Sequence, residues 1–195
     1  AQTSATALPL MLPSAIAYDA QGNLYIAETG GNTIRRVDAA GVITTIAGTG
    51  TQGFSGDSGP AVAARLDSPE GLALGADNKL YVADTHNHRI RRIDLATGLI
   101  ATVAGSGAGF AGDNGPAAAA RLDLPTGLAL DEAGNLYIAD TENFRVRKIA
   151  AVGGLITTVA GNGRQGFSGD GGAATAASID SPSGLAVDAA GNLYI

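Results

Sequence analysis

Cysteine and tryptophan are both missing from this chain of 195 residues, there is one methionine, and aromatic residues make up 5% of it. Without cysteine there are no disulfides, thiolate metal sites or thiol nucleophiles to consider. Few aromatics and no tryptophan leave little stacking surface for nucleic-acid bases. Positive charge is scarce as well: 12 Lys and Arg stand against 18 Asp and Glu, a formal net charge of −6, so nucleic acid is not an expected partner. No apolar run approaches the roughly 20 residues that span a bilayer, and no basic segment followed by an apolar stretch opens the chain, so no membrane partner is expected. Residues 1–11, AQTSATALPLM, are small and polar and read as the start of a secreted chain after signal removal. That reading points to a periplasmic or secreted, extracytoplasmic setting.

What the chain does have is a core and a period. It is 45% hydrophobic, too apolar for intrinsic disorder. Tyr25 in GNLYIAET recurs as Tyr81 in NKLYVADT, Tyr137 in GNLYIADT and Tyr194 in GNLYI, at spacings of 56, 56 and 57 residues. Internal repetition at such a period marks an array of one supersecondary unit. Residues 1–11 form a short lead, and 12–195 form one domain of three full repeats, starting near 12, 68 and 124, with a partial fourth from about 181.

Each repeat divides into four short apolar runs. In the second repeat these are GLAL (71–74), LYVADT (80–85), IRRID (90–94) and LIATVAG (99–105). Gly22, Gly134 and Gly191, with Asn78 in the second repeat, occupy one turn position between the first two runs. Glycine and asparagine tolerate positive φ, so a tight hairpin is expected there. A second turn, with Gly41, Gly98 or Gly154, separates the last two runs. Four strands joined by short turns make an antiparallel meander, and a long connection then leads to the next first strand. This is the pattern of a β-propeller blade. The expected fold is all-β, about 3.5 four-stranded antiparallel blades.

LYVADTHNHRIRRID followed by LIATVAGSG, with SPEGLAL ahead of it, resembles the NHL-repeat family of β-propellers, in particular its bacterial, teneurin-like form with a GFSGDGGPA insertion. The resemblance covers residues 12–195. It implies the propeller fold and leaves function open, because propellers host binding, signalling and catalysis on one scaffold.

Three glycine-rich loops, GFSGDSGP (53–60), GFAGDNGP (109–116) and GFSGDGGA (166–173), invite a reading as ion sites. One carboxylate per loop, Asp57, Asp113 or Asp170, is a poor cage for an ion that takes six to eight oxygens, and the Lys and Ser/Thr of a phosphate-binding loop are lacking. A structural role is expected instead, with these carboxylates accepting backbone N–H bonds near a short helical turn that starts at Pro60 or Pro116. Phe54, Phe110 and Phe167 would anchor the loops. No metal and no cofactor are expected.

The acids ending the second run, Glu28, Asp84 and Asp140, recur in register and are expected to accept hydrogen bonds from the adjacent turn or to pair with an arginine. Eight of the 12 cationic residues fall on or beside the third run: Arg35, Arg36, Arg89, Arg91, Arg92, Arg145, Arg147 and Lys148. Their stems would cover apolar faces while their heads reach partners or water. The turn between the second and third runs varies from repeat to repeat, and such variation is where a binding surface is expected. Gly30, Gly31 and Asn32, then His86, Asn87 and His88, then Glu142, Asn143 and Phe144 therefore form the candidate binding patch.

No catalytic residue is assigned. Enzymes of related propellers direct metal ligands at a central channel, whereas the inner runs here, AIAY, GLAL, GLAL and GLAV, carry no His, Glu or Cys. The expected function is non-catalytic, a rigid scaffold for a protein or other macromolecular ligand. The alternatives are a metal-assisted lyase or lactonase whose catalytic residues lie in further blades, and a partial propeller completed by self-association into a homo-oligomer. A fragment of a six-bladed or larger propeller is preferred over self-association.

Overall fold

The structure, a computed structural model, describes residues 9–195. At the first turn of each repeat, Gly22, Asn78, Gly134 and Gly191 adopt φ of +82°, +61°, +81° and +84°, so each turn residue takes the left-handed conformation its type permits. In the first, third and fourth repeats an aspartate completes the turn. Asp19 accepts the Gln21 and Asn23 N–H groups through Oδ1, and the Asn23 amide and Tyr25 hydroxyl through Oδ2, at 2.6–3.0 Å. Asp131 and Asp188 repeat the arrangement.

The strands follow the four-run pattern. In the first blade they are β1 (Pro13–Tyr18), β2 (Leu24–Glu28), β3 (Thr33–Val37) and β4 (Ile43–Ala47). The second has β5 (Pro69–Leu74), β6 (Lys79–Asp84), β7 (Arg89–Asp94) and β8 (Ile100–Ala104), and the third β9 (Pro125–Leu130), β10 (Leu136–Asp140), β11 (Arg145–Ile149) and β12 (Ile156–Ala160). Each set of four is one sheet in sequential order, and β13 (Ala186–Val187) pairs with β14 (Leu193–Tyr194). These are the four-stranded antiparallel blades of a β-propeller.

The chain divides into two compact units, one running to Asn87 and including Arg91–Ala101, the other made of His88–Ile90 and Thr102–Ile195. In the first, Ile34, Leu80, Val82, Ile93 and Ile100 form the core with Ala61, Ala64 and Leu66 of the long connection. In the second, Ala129, Tyr137, Val146 and Ala160 pack with Val159, Ile179 and Leu185.

The expected helical turns are present as single 3₁₀ turns at Ala61–Ala63, Ala117–Ala119 and Ala174–Ala176. Ahead of each, the glycine-rich loop does more than cross a blade. Ser58 N–H donates to the Ile100 carbonyl, Ile100 N–H to Gly59, and Ala61 N–H to Gly98. The connection therefore lies along the outer strand of the blade that follows it, and Asn114, Ile156 and Ala117 repeat the contacts on β12. Covering the edge strand in this way removes its unpaired backbone groups. Close approach explains the glycine before each aspartate: at Gly56 and Gly112, both at positive φ, a Cβ would lie 2.7 Å from the Cα of Ala64 or Ala120.

Candidate functional site

The end of each second strand carries a buried acid, and the chain turns there into a short 3₁₀ segment, Thr85–Asn87 or Thr141–Asn143. Asp84 Oδ1 accepts the Asp67 N–H at 2.7 Å and the Asn87 side-chain amide at 2.9 Å, and Oδ2 accepts Arg91 Nη1 at 3.1 Å. Asp140 repeats this with Asp123, Asn143 and Arg147 at 2.7, 2.9 and 3.2 Å. Both acids and both arginines are fully buried. Burial raises the Asp84 carboxyl above its ordinary range and pushes Asp140 up to about 6, against the opposing pull of the backbone N–H, asparagine and arginine donors.

The arginines join this acid to the glycine-rich loop. Arg91 Nη2 donates to Asp57 Oδ1 at 2.9 Å and to the Ser55 carbonyl at 3.1 Å. Arg147 reaches Asp113 Oδ1 through Nε and Nη2 at 3.0 and 2.6 Å, and Thr158 donates to Asp113 Oδ2 at 2.6 Å. Phe54 lies over Arg91, and Phe110 over Arg145 and Arg147, with ring centres 3.9–4.9 Å from the guanidinium carbons, a cation–π arrangement. Asn87 and Asn143 bind the loop carbonyls of Gly53 and Gly109.

Two sequence expectations are corrected here. Asp57 and Asp113 accept from arginines rather than from backbone N–H groups, because the loop lies on the following blade and brings residues 34 apart together. The heads of Arg91 and Arg147 do not reach solvent, since each is enclosed by two carboxylates. Asp170 is exposed, and Phe167 is 88% exposed. In the first blade Glu28 takes the place of aspartate, accepting Met11 N–H, Thr33 Oγ1 and Arg35 Nη1 at 2.9, 2.9 and 3.2 Å.

The nine patch residues fall into three positions with different fates. The middle position is turned inward, through Asn87 and Asn143 in the second and third repeats, with Gly31 in the first. The last position, Asn32, His88 or Phe144, has φ of +52°, +54° and +52°. There Asn32 Oδ1 accepts the Ser68 N–H at 2.9 Å and His88 Nδ1 accepts the Leu124 N–H at 3.2 Å. Ser68 and Leu124 each precede a proline and sit at φ of +50° and +43°, a costly conformation for non-glycine residues. Asn32 and His88 thus clamp the strained entry to the next repeat, a role the sequence did not advertise because the two residues differ in type. The first position, Gly30, His86 or Glu142, is exposed in every repeat. His86 and His88 do not converge on one ligand: His86 Nδ1 lies 3.4 Å from Asp67, and His88 Nδ1 lies 3.2 Å from Asp123.

The NHL repeat family model matches residues 66–93 and 122–149, the segments that contain both buried acid–arginine pairs. Both matched segments are NHL repeats. This NHL chain is 35% identical over 133 residues to the Arabidopsis thaliana chloroplastic protein SUPPRESSOR OF QUENCHING 1, covering 64% of this chain and 12% of that protein. It is 33% identical over 205 residues to mouse (Mus musculus) Teneurin-1, covering 94% of this chain and 7% of that protein. It thus spans only a small part of these curated relatives. Among solved structures, a structural genomics protein of unknown function from Bacteroides thetaiotaomicron superposes with a TM-score of 0.69 at 23% identity, over 89% of this chain and 41% of that one. That likeness concerns the fold.

Proposed function

We propose that this NHL chain is a non-catalytic interaction module that presents its strand 2 to strand 3 turns to a protein or other macromolecular ligand. The observation that carries this reading is the division of labour within those turns. Asn32 in the first repeat, Asn87 and His88 in the second and Asn143 in the third are engaged in holding the blades, and the first position, Gly30, His86 or Glu142, is exposed and differs in size and charge from repeat to repeat. An exposed residue on a turn whose neighbouring positions are hydrogen-bonded suits recognition, because little loop ordering is left to oppose binding. The in-register acids and arginines, which would otherwise suggest chemistry, serve the clasp between loop and blade.

The test is site-specific photo-crosslinking in the full-length protein, with the cross-linker placed at position 86, at position 142, or at Asp77 in a first turn at the opposite end of its blade. A partner captured from 86 and 142 but not from 77, whose affinity falls at least tenfold in the His86→Ala, Glu142→Ala double variant at unchanged thermal stability, supports the assignment. Capture from Asp77 alone, or unchanged affinity in the double variant, refutes it.

A further inference from the structure

The third strand of each blade carries a second cation, next to the clasp arginine and on the other face of the sheet: Arg36, Arg92 or Lys148. Each has the tyrosine of the second strand as a neighbour: Arg92 sits beside the Tyr81 hydroxyl, Lys148 lies over the Tyr137 ring at 5.8 Å, and Arg36 lies across from Tyr25. Arg36 keeps donor capacity beside that neighbour. Its cross-strand neighbours are Tyr25 and Thr44, its Nε is buried without a hydrogen-bond partner among the described residues, and none of its side-chain nitrogens lies in an ion pair there.

Arg36 lines a groove of about 480 Å³, within the range of roughly 300–1,000 Å³ typical of ligand sites. Tyr25 and Thr44 line it beside Arg36, and Ile46, Val62 and Ile93 supply apolar wall. Tyr25 offers no second charge: its hydroxyl donates to Asp19 at 2.9 Å, and burial followed by that carboxylate pushes its pKa up to about 12. The nearby carboxylates are engaged elsewhere, Asp38 with the Ala40 and Val42 N–H groups and Asp94 with Lys79. Val62 is 54% exposed, and the other repeats place Ala118 and Thr175 at its position, so this branched apolar wall is particular to the first groove.

We infer that this groove binds the C-terminal residue of a peptide, with the terminal carboxylate on Arg36 and an apolar last side chain against Ile46, Val62 and Ile93. A guanidinium presents a planar fork of donors that matches a carboxylate. The apolar wall favours an amphiphilic monoanion over a dianion that would have to shed more water. Thr44, Thr45 and Ile46 of β4 line the groove beside Arg36, where the peptide amide preceding the carboxylate lies, a polar group that a simple fatty acid lacks. The inference is independent of the turn-borne surface proposed above.

The experiment is a ¹H–¹⁵N NMR titration of the intact chain with N-acetyl-leucine, N-acetyl-leucine amide, hexanoate and inorganic phosphate. We expect N-acetyl-leucine to shift the resonances of Arg36, Thr44 and Val62 in a saturable way, the amide to bind at least tenfold more weakly, and hexanoate and phosphate to bind more weakly than the acid. Arg36→Met should lose at least tenfold in affinity. Val62→Glu, at a half-exposed site that leaves folding intact, should lose as much by repelling the carboxylate. Arg92→Met and the His86→Ala, Glu142→Ala double variant should bind as the parent does. Equal binding of acid and amide, hexanoate or phosphate binding as tightly as N-acetyl-leucine, or unaltered affinity in Val62→Glu would each overturn the assignment.

Discussion

Arg147 in the third blade and Arg35 in the first occupy the same place in their repeats but sit in different surroundings. Arg147 is fully buried, and its Nε, Nη1 and Nη2 all donate, to Asp113, Asp140 and loop carbonyls. Arg35 meets one carboxylate, Glu28, and its Nε is buried without a partner among the described residues. The side chain remains 17% exposed. Where the glycine-rich loop lies on the blade, the arginine is enclosed by two carboxylates and a phenylalanine. Arg91 of the second blade is enclosed in the same way, although its Nε is also buried without a partner among the described residues; what the loop supplies is a second carboxylate for a buried charge, and loop and arginine depend on each other.

That dependence is open to mutation. Arg147→Met should have the largest effect, a loss of about 3–5 kcal/mol in urea unfolding, because it strands the buried Asp140 carboxylate. Arg35→Met should cost clearly less; equal losses would mean that the loop adds nothing to the arginine's role. Next comes the buried acid itself. The Asp140 pKa is raised by burial to about 6, so the folded state takes up a proton that the unfolded chain, with a carboxyl near 4, still lacks. The contribution of this group to stability is present below about pH 4 and lost as pH rises through about 6. The stability difference between the parent and Asp140→Asn should therefore narrow from pH 4 to pH 7, and carboxyl NMR should place the Asp140 midpoint far above that of Asp94, which its hydrogen bond from Lys79 holds at about 2.

Smaller effects probe the loop and the clamps. Asp113→Ala should cost about 1–3 kcal/mol through the donors it leaves unmatched and should speed proteolysis within 107–115, with little change in the sheet. His88→Ala should cost about 1 kcal/mol by freeing the Leu124 N–H, whereas His88→Asn, which borrows the Asn32 solution, should fall within about 0.5 kcal/mol of the parent. A large loss in His88→Asn would show that the histidine does more than accept this bond.

Much of this molecule was legible in advance, and the illegible part has a common cause. The spacing of Tyr25, Tyr81, Tyr137 and Tyr194 gave the blades, and glycine or asparagine at the turns gave their hairpins, because these signals are local in the chain. The pairing of Asp84 and Asp140 with an arginine was also within reach, since acid and arginine stand seven residues apart on adjacent antiparallel strands. The partners of Asp57 and Asp113 were not, since a period of 56 or 57 residues says which positions are equivalent and nothing about which of them meet. Asn32 and His88 escaped notice as one device for a similar reason: a single acceptor atom in the right place is all the clamp requires.

By itself, then, the sequence determined the repeat, the strands, the turn conformations and the NHL resemblance, all of which follow from short-range sterics and the alternation of apolar residues. Only the tertiary structure decided that the glycine-rich loop covers the following blade, that its aspartate closes over a buried arginine, and that Gly30, His86 and Glu142 are the patch positions left facing solvent. Those outcomes depend on desolvation and on contacts across 34 or more residues, where the free energy of a charge is set by what surrounds it in space.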